Sequence, residues 1–197
     1  MGQLQPPNPA KLPRIGYVAL GSNLATATRT SLEAVTEALR LFSGESIRII
    51  QQSQWYSAPA FPKGNGPDYV NAVVEIETNL SARETLTALH RIEAKLGRAR
   101  TTRWASRVVD LDLLALGEEV TPDLAEFTRW HTLPLAAQMN EAPDGLVLPH
   151  PRLQDRAFVL VPLAEISPDW CHPVLGQTAS SLLRALPAAC RAEILPL

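Results

Sequence analysis

Residues 69–78 read Tyr69-Val70-Asn71-Ala72-Val73-Val74-Glu75-Ile76-Glu77-Thr78, and Ser81-Ala82-Arg83-Glu84 then opens an apolar-periodic run that ends at Leu96-Gly97. The first stretch is rich in β-branched residues and alternates, which predicts a strand. Val70, Ala72, Val74 and Ile76 form its better core face. Tyr69, Asn71, Val73 and Glu75 share the other, with Tyr69 and Asn71 a matched pair at its loop end. The second stretch predicts a helix over 81–96. Ser81 and Glu84 make a capping box, and Gly97 is a good terminator. Ala82, Leu86, Leu89 and Leu96 form the expected buried stripe. At 100° per residue Glu93 falls inside that stripe. Two readings of Glu93 stay open: pairing with an arginine at the core margin, or facing a ligand pocket.

Working outward, Ile15–Leu20 is a short apolar strand stopped by the turn signal Gly21-Ser22-Asn23. A helix follows with Leu32, Val35, Leu39 and Phe42 at helical spacing, and Thr30 and Glu33 as its capping box. Residues 46–56 read as a strand and 57–67 as a Pro- and Gly-containing loop. Downstream, 98–107 is an arginine-rich loop and 108–116 a strand. Residues 118–147 are mixed in polarity, with a weak helical pattern over 133–139. Leu148-Pro149-His150-Pro151-Arg152 is a rigid turn. Residues 157–166 have a helical apolar pattern despite Pro162, and 180–186 a shorter one. The order strand–helix–strand–strand–helix–strand is the double split β-α-β unit. It predicts an α+β fold, an antiparallel sheet with helices on one face, the late helices being free to cover other apolar surface. Residues 1–13 hold four prolines and read as a flexible tail. Residues 14–197 read as a single domain with an extended connection at 121–146.

The chain of 197 residues is 46% hydrophobic and 19% charged, an ordinary globular balance. A net charge of -2 gives no general attraction to nucleic acid or anionic membrane. Two cysteines without paired spacing argue against a disulfide framework and fit a reducing compartment. No apolar run approaches the ~18 residues of a membrane helix. A cytoplasmic protein and a monomer are expected. Neither a phosphate-loop motif nor a G-x-G-x-x-G fingerprint occurs, and the four histidines lack zinc spacing.

The chemistry concentrates in Arg107-Val108-Val109-Asp110-Leu111-Asp112-Leu113-Leu114. On a strand Asp110 and Asp112 point the same way, ~7 Å apart, and Leu111 and Leu113 the other. Two carboxylates on one face repel and cost desolvation, which a divalent cation would offset. Oxygen-only ligands favour magnesium over zinc. Arg98, Arg100, Arg103 and Arg107 beside them suggest a polyphosphate, and Trp104 among them suggests a loop that closes over something. Tyr69 beside the Asn71 amide would suit a flat heterocycle.

Together these residues resemble the 6-hydroxymethyl-7,8-dihydropterin pyrophosphokinase family of the folate pathway. The resemblance runs from Tyr17 to about Pro173. It rests on Ala19-Leu20-Gly21-Ser22-Asn23-Leu24, Tyr56 with Pro59, Pro67-Asp68-Tyr69-Val70-Asn71-Ala72, Arg91-Ile92-Glu93 and Gly97-Arg98-Ala99-Arg100. It continues through Arg103-Trp104, Arg107 with Asp110-Leu111-Asp112, Leu148-Pro149-His150-Pro151-Arg152, and Arg156-Ala157-Phe158 leading to Pro162-Leu163.

The resemblance implies a ferredoxin-like sheet with additional helices, and transfer of pyrophosphate from ATP to the pterin hydroxymethyl group with release of AMP. It implies two Mg²⁺ ions held by Asp110 and Asp112, with Arg98 and Arg107 stabilising the transferring group. Tyr69 and Phe158 would sandwich the pterin, Asn71 and the segment with Ala58, Pro59 and Phe61 would read its edge, and Trp104 would join them. His90, Glu93, Arg98, Arg100, Arg107, Leu113, His150 and Arg156 would lie near the nucleotide. Three departures stand out. Ser106 replaces a common proline, Ala58 replaces a frequent threonine, and 121–146 exceeds the short connection of compact members. A magnesium-dependent phosphohydrolase and a nucleic-acid-binding module are the competing readings. The aromatic plates count against the first, and the acidic pair and net charge against the second.

Overall fold

The computed structural model describes residues 12–60, 66–97, 108–134, 137 and 141–197. Six strands form one sheet: β1 (Arg14–Ser22), β2 (Ile47–Gln52), β3 (Tyr56–Ala58), β4 (Tyr69–Thr78), β5 (Asp110–Leu116) and β6 (Leu195–Pro196). The order is β5-β1-β4-β3-β6, with β2 also pairing β4, and every pairing is antiparallel. Helices α1 (Ser31–Leu41), α2 (Ala82–Lys95), α3 (Leu124–His131), α4 (Ala157–Ile166), α5 (Ala179–Ala185) and α6 (Ala188–Ala192) complete the described elements.

Both expected capping boxes form, Thr30 with Glu33 at α1 and Ser81 with Glu84 at α2. Of the expected α1 stripe, Val35, Leu39 and Phe42 enter the core, with Ala34 and Ala38 beside them, and Leu32 is exposed. The expected strand over 46–56 is two strands. Ser53 explains the break, since its hydroxyl accepts the Val73 N–H at 3.1 Å and its amide donates to the Val73 carbonyl at 3.0 Å. A side chain there takes the place of a ladder carbonyl. β1 does not stop at Leu20 but carries Gly21 and Ser22 into the sheet. The expected helical pattern at 133–139 falls largely outside the described residues, whereas 124–131 is a helix capped by Asp123.

Helices cover both sheet faces rather than one. On the first face Val18, Leu20, Val74, Ile76, Leu111 and Leu113 pack with Val35, Ala38, Leu89 and Ile92 of α1 and α2. On the second, Tyr17, Ala19, Val73, Leu114 and Ala115 pack with Val159, Leu160, Leu163 and Leu182 of α4 and α5. α4 is apolar nearly all round, as a helix squeezed between sheet and a further helix must be. Its C-terminal end is tied down. Glu165 accepts the Gln54 N–H and, at 2.9 Å, the Tyr56 hydroxyl, and Ser167 donates to Glu75 at 2.8 Å. Burial beside the Glu165 charge pushes the Tyr56 phenol up to about 12. No described helix is long and apolar enough to cross a membrane.

Candidate active site

Three adjacent strands bring the carboxylates and the amide into one row. Gly21 of β1 pairs with Asp110 of β5 on one side and with Asn71 of β4 on the other, and Asn71 pairs with Tyr56 of β3. One step along, Ala19 lies between Asp112 and Val73. Cross-strand partners share a face, and Ala19 and Val73 belong to the α4 core. Asp110, Asp112, Asn71 and, by alternation, Tyr69 therefore lie on the α4 side. Two strand spacings separate Asp110 from Asn71, roughly 10 Å between backbones. Both aspartates are half-buried, while Leu111 and Leu113 are buried on the opposite face as alternation requires.

The N-terminal end of α4 completes the row. Arg156 Nη1 lies 3.3 Å from Asp112 Oδ2 and 3.5 Å from His150 Nε2, and Arg156 Cζ lies 5.7 Å from the Phe158 ring. Phe158 is 37% exposed, an open aromatic plate on an otherwise buried helix. His150 is set by its turn: its amide donates to the Leu114 carbonyl at 2.7 Å and its Nδ1 accepts the Arg152 N–H at 3.1 Å. Burial, then the Arg156 charge, push the imidazole down to about 3, against the opposing pull of Asp110. His150 is thus a neutral side chain at neutral pH.

Asn71 is only 4% exposed, and its Nδ2 donates to the Tyr69 carbonyl at a long 3.4 Å. Such an amide has unspent capacity for an edge of matching polarity. Ala58 is buried opposite Tyr69 in the β3–β4 register, and Pro59 follows it, half-buried.

Other expected residues lie elsewhere. Glu93 is 2% exposed on α2, and its Oε1 accepts the Leu111 N–H at 2.8 Å. The carboxylate holds an amide of edge strand β5 between the two aspartates. Leu113 is sealed in the α1–α2 core, so its side chain is not on the carboxylate face. His90 is half-buried on α2. Phe61, Arg98, Arg100, Trp104 and Arg107 lie outside the described residues. Sequence reasoning missed Glu165 and the role of Gly21 in the row. For the latter the signal was present, a glycine directly following the apolar strand Ile15–Leu20, but it reads equally as a turn.

A cleft of about 570 Å³ lies between α3 and residues 141–147, lined by Arg83, Asp123, Glu126, Trp130 and Asp144 among others. None of the described residues expected in the site lines it. It is a product of the extended connection. Among the described residues no three His, Cys, Asp or Glu side chains gather as a ready-made metal cage.

Paired carboxylates, a guanidinium and an underused amide on one sheet face are parts suited to phosphoryl transfer onto a polar heterocycle. The family model described as 7,8-dihydro-6-hydroxymethylpterin-pyrophosphokinase (HPPK) matches residues 17–168, and the chain belongs to that family. Relatives named 2-amino-4-hydroxy-6-hydroxymethyldihydropteridine pyrophosphokinase include one from Synechocystis sp., 37% identical over 84% of this chain and 73% of its own. Another, from Haemophilus influenzae, is 36% identical over 80% of this chain and 84% of its own. A third, from Pseudomonas aeruginosa, is 36% identical over 87% and 91%. Among solved structures, Plasmodium falciparum HPPK-DHPS with pterin and p-hydroxybenzoate superposes with a TM-score of 0.61 at 15% identity. That likeness covers 90% of this chain and 44% of the other, so this chain spans less than half of the solved one. It supports the fold alone.

Proposed function

We propose that this chain transfers the terminal pyrophosphoryl group of ATP to the hydroxymethyl oxygen of 6-hydroxymethyl-7,8-dihydropterin and releases AMP, a step of folate biosynthesis. The observation that carries this is the row Asp110–Gly21–Asn71 beneath Arg156, His150 and Phe158. A heterocycle read by Asn71 would extend its hydroxymethyl arm across β1 toward the carboxylates.

In the reaction the hydroxymethyl oxygen forms a bond to the β-phosphorus of ATP. The bond from that phosphorus to the oxygen shared with the α-phosphorus breaks, and that oxygen leaves with AMP. The hydroxyl proton is lost to a phosphate oxygen or water. Negative charge spreads over phosphoryl oxygens, so fixed positive charge and positioning do most of the work. Arg156 is placed for this: its ion pair with Asp112 is long at 3.3 Å and half-exposed, leaving donors for a phosphate. A neutral His150 adds no charge and braces the guanidinium from behind. Tyr69 and Phe158 offer the flat surfaces for the ring. Arg98 and Arg107 are proposed to hold the transferring group, and Trp104 to help exclude water.

The donor set suits Mg²⁺. Asp110 and Asp112 are two half-exposed oxygen donors on one face, and magnesium typically takes one or two carboxylates together with substrate phosphates and water. Two ions held by these residues would neutralise phosphate charge and acidify a coordinated hydroxyl.

The test is an incubation with Mg²⁺, ATP labelled on the γ-phosphate, and the hydroxymethyl-dihydropterin. AMP should form in step with label on the pterin product. Formation of ADP or free phosphate, or turnover independent of the pterin, would overturn the proposal.

A further inference from the structure

Gly21 occupies the middle of the row, and its backbone does not explain why it is glycine. It lies in a regular extended strand, paired on both sides, and is not among the residues of positive φ. What a side chain would meet does explain it. A Cβ at residue 21 would stand 3.3 Å from Asn71 Oδ1 and 3.8 Å from Tyr69 Cδ1. The first approach is tighter than a relaxed contact, so the amide would have to give way. Gly16, on the same strand, differs: a Cβ there would meet the Ala115 carbonyl oxygen at 2.8 Å and Leu116 Cδ1 at 2.9 Å. Gly16 serves close packing of the sheet, whereas among the described residues Gly21 borders the Asn71 and Tyr69 side chains, the pair proposed to receive the heterocycle.

We infer that Gly21 is a positioning residue that sets the Asn71 amide, and through it selectivity for the heterocyclic substrate. This rests on the pterin reading above and adds to it the residue that fixes the reading group. The Asn71 amide is lightly held, since its hydrogen bond to the Tyr69 carbonyl is 3.4 Å long. With so weak an anchor, its rotamer is governed by the space around it. The bare backbone of Gly21 lets the amide lie toward β1. A methyl group there would push Oδ1 away and misalign an acceptor whose bonds to the ring depend on angle.

The experiment compares wild type, Gly21→Ala, Asn71→Ala and the double variant. Binding of the hydroxymethyl-dihydropterin is measured in the presence of saturating α,β-methylene ATP and Mg²⁺, and analogue binding is measured separately. Gly21→Ala should weaken pterin binding at least tenfold, leave analogue binding within twofold, and raise KM for the pterin more than it lowers kcat. In the Asn71→Ala background the same substitution should cost no more than twofold, because the group it displaces is gone. Equal loss of both ligands would mark Gly21 as structural and overturn the inference, as would a full tenfold penalty in the Asn71→Ala background. If Gly21→Ala does not fold, the double variant against Asn71→Ala alone still decides the matter, since there the added methyl has room. Wild-type protein that binds no pterin would sink the functional reading itself, and is recognised in the first arm.

Discussion

The two faces of the sheet are built from alternate residues of the same strands, yet they hold very different things. The α1–α2 face is sealed and apolar from Ile76 through Val18 and Leu20 to Leu111, with buried Thr78 and Ser22 at its margins. The α4 face is apolar over half its length, around Tyr17, Val73 and Leu160, and then gives way to Asp110, Asp112 and Asn71. One face is built for packing, and the other gives part of its length to polar groups. From the sealed side Glu93 reaches β5, where its carboxylate accepts the Leu111 N–H.

If this division holds, damage to one face should leave the other's property intact. The largest effect is expected for Asp112→Ala: turnover should fall by at least about 1000-fold, roughly 4 kcal/mol of transition-state stabilisation. Thermal melting of the apo protein should not fall. A variant that keeps near-normal activity would remove the carboxylate from the site. On the sealed face, Ile76→Ala should cost about 2–5 kcal/mol in denaturant unfolding while the folded fraction keeps its KM for both substrates. A specific loss of substrate affinity in that variant would mean the faces are not independent. Glu93→Leu sits on the boundary. It strands the Leu111 N–H and should cost about 1–3 kcal/mol, together with a loss of activity from a loosened β5. The smallest effect concerns Glu45, whose carboxyl is held below its ordinary 4.5 by hydrogen bonds from Lys95 and then Arg91. A depressed folded-state value means its contribution is complete above the ordinary value and is lost as pH falls through the folded one. Glu45→Gln should therefore be less stable than wild type by about 0.5–1 kcal/mol at pH 7, with the gap narrowing as pH falls below the ordinary 4.5. A gap that does not narrow at all on acidification would show that packing, and not charge, holds Glu45.

Much of this was legible in the sequence where a single local pattern carries the information. The capping boxes, the common face of Asp110 and Asp112, and the helix at 157–166 all follow from short-range spacing. The second covered face did not, because Tyr69, Asn71, Val73 and Glu75 look half-polar in isolation. The clue sat 80 residues away in α4, whose lack of a polar side requires it to lie against the sheet. Helix α3 was not expected, although Asp123 as cap and Phe127 and Trp130 at helical spacing marked it. The break between β2 and β3 rests on one serine hydroxyl reaching another strand, which no local window contains. Asn71 was recognised by its chemistry, but the space that orients it comes from Gly21, its neighbour only after folding.

Helix α4 is fastened at its far end, where Glu165 holds Gln54 and Tyr56 and Ser167 holds Glu75, and it presents Arg156 and Phe158 at its near end. Mechanically it is a beam seated on the sheet by Val159, Leu160 and Leu163 and pinned at its far end. Ten residues make an arm of about 15 Å. A tilt of about 4° at the mount would move the tip by about 1 Å, an error that can cost on the order of 100-fold in rate. On the proposed reading, the aim of Arg156 and Phe158 would thus be set from Glu165 and Ser167 at the other end of the helix.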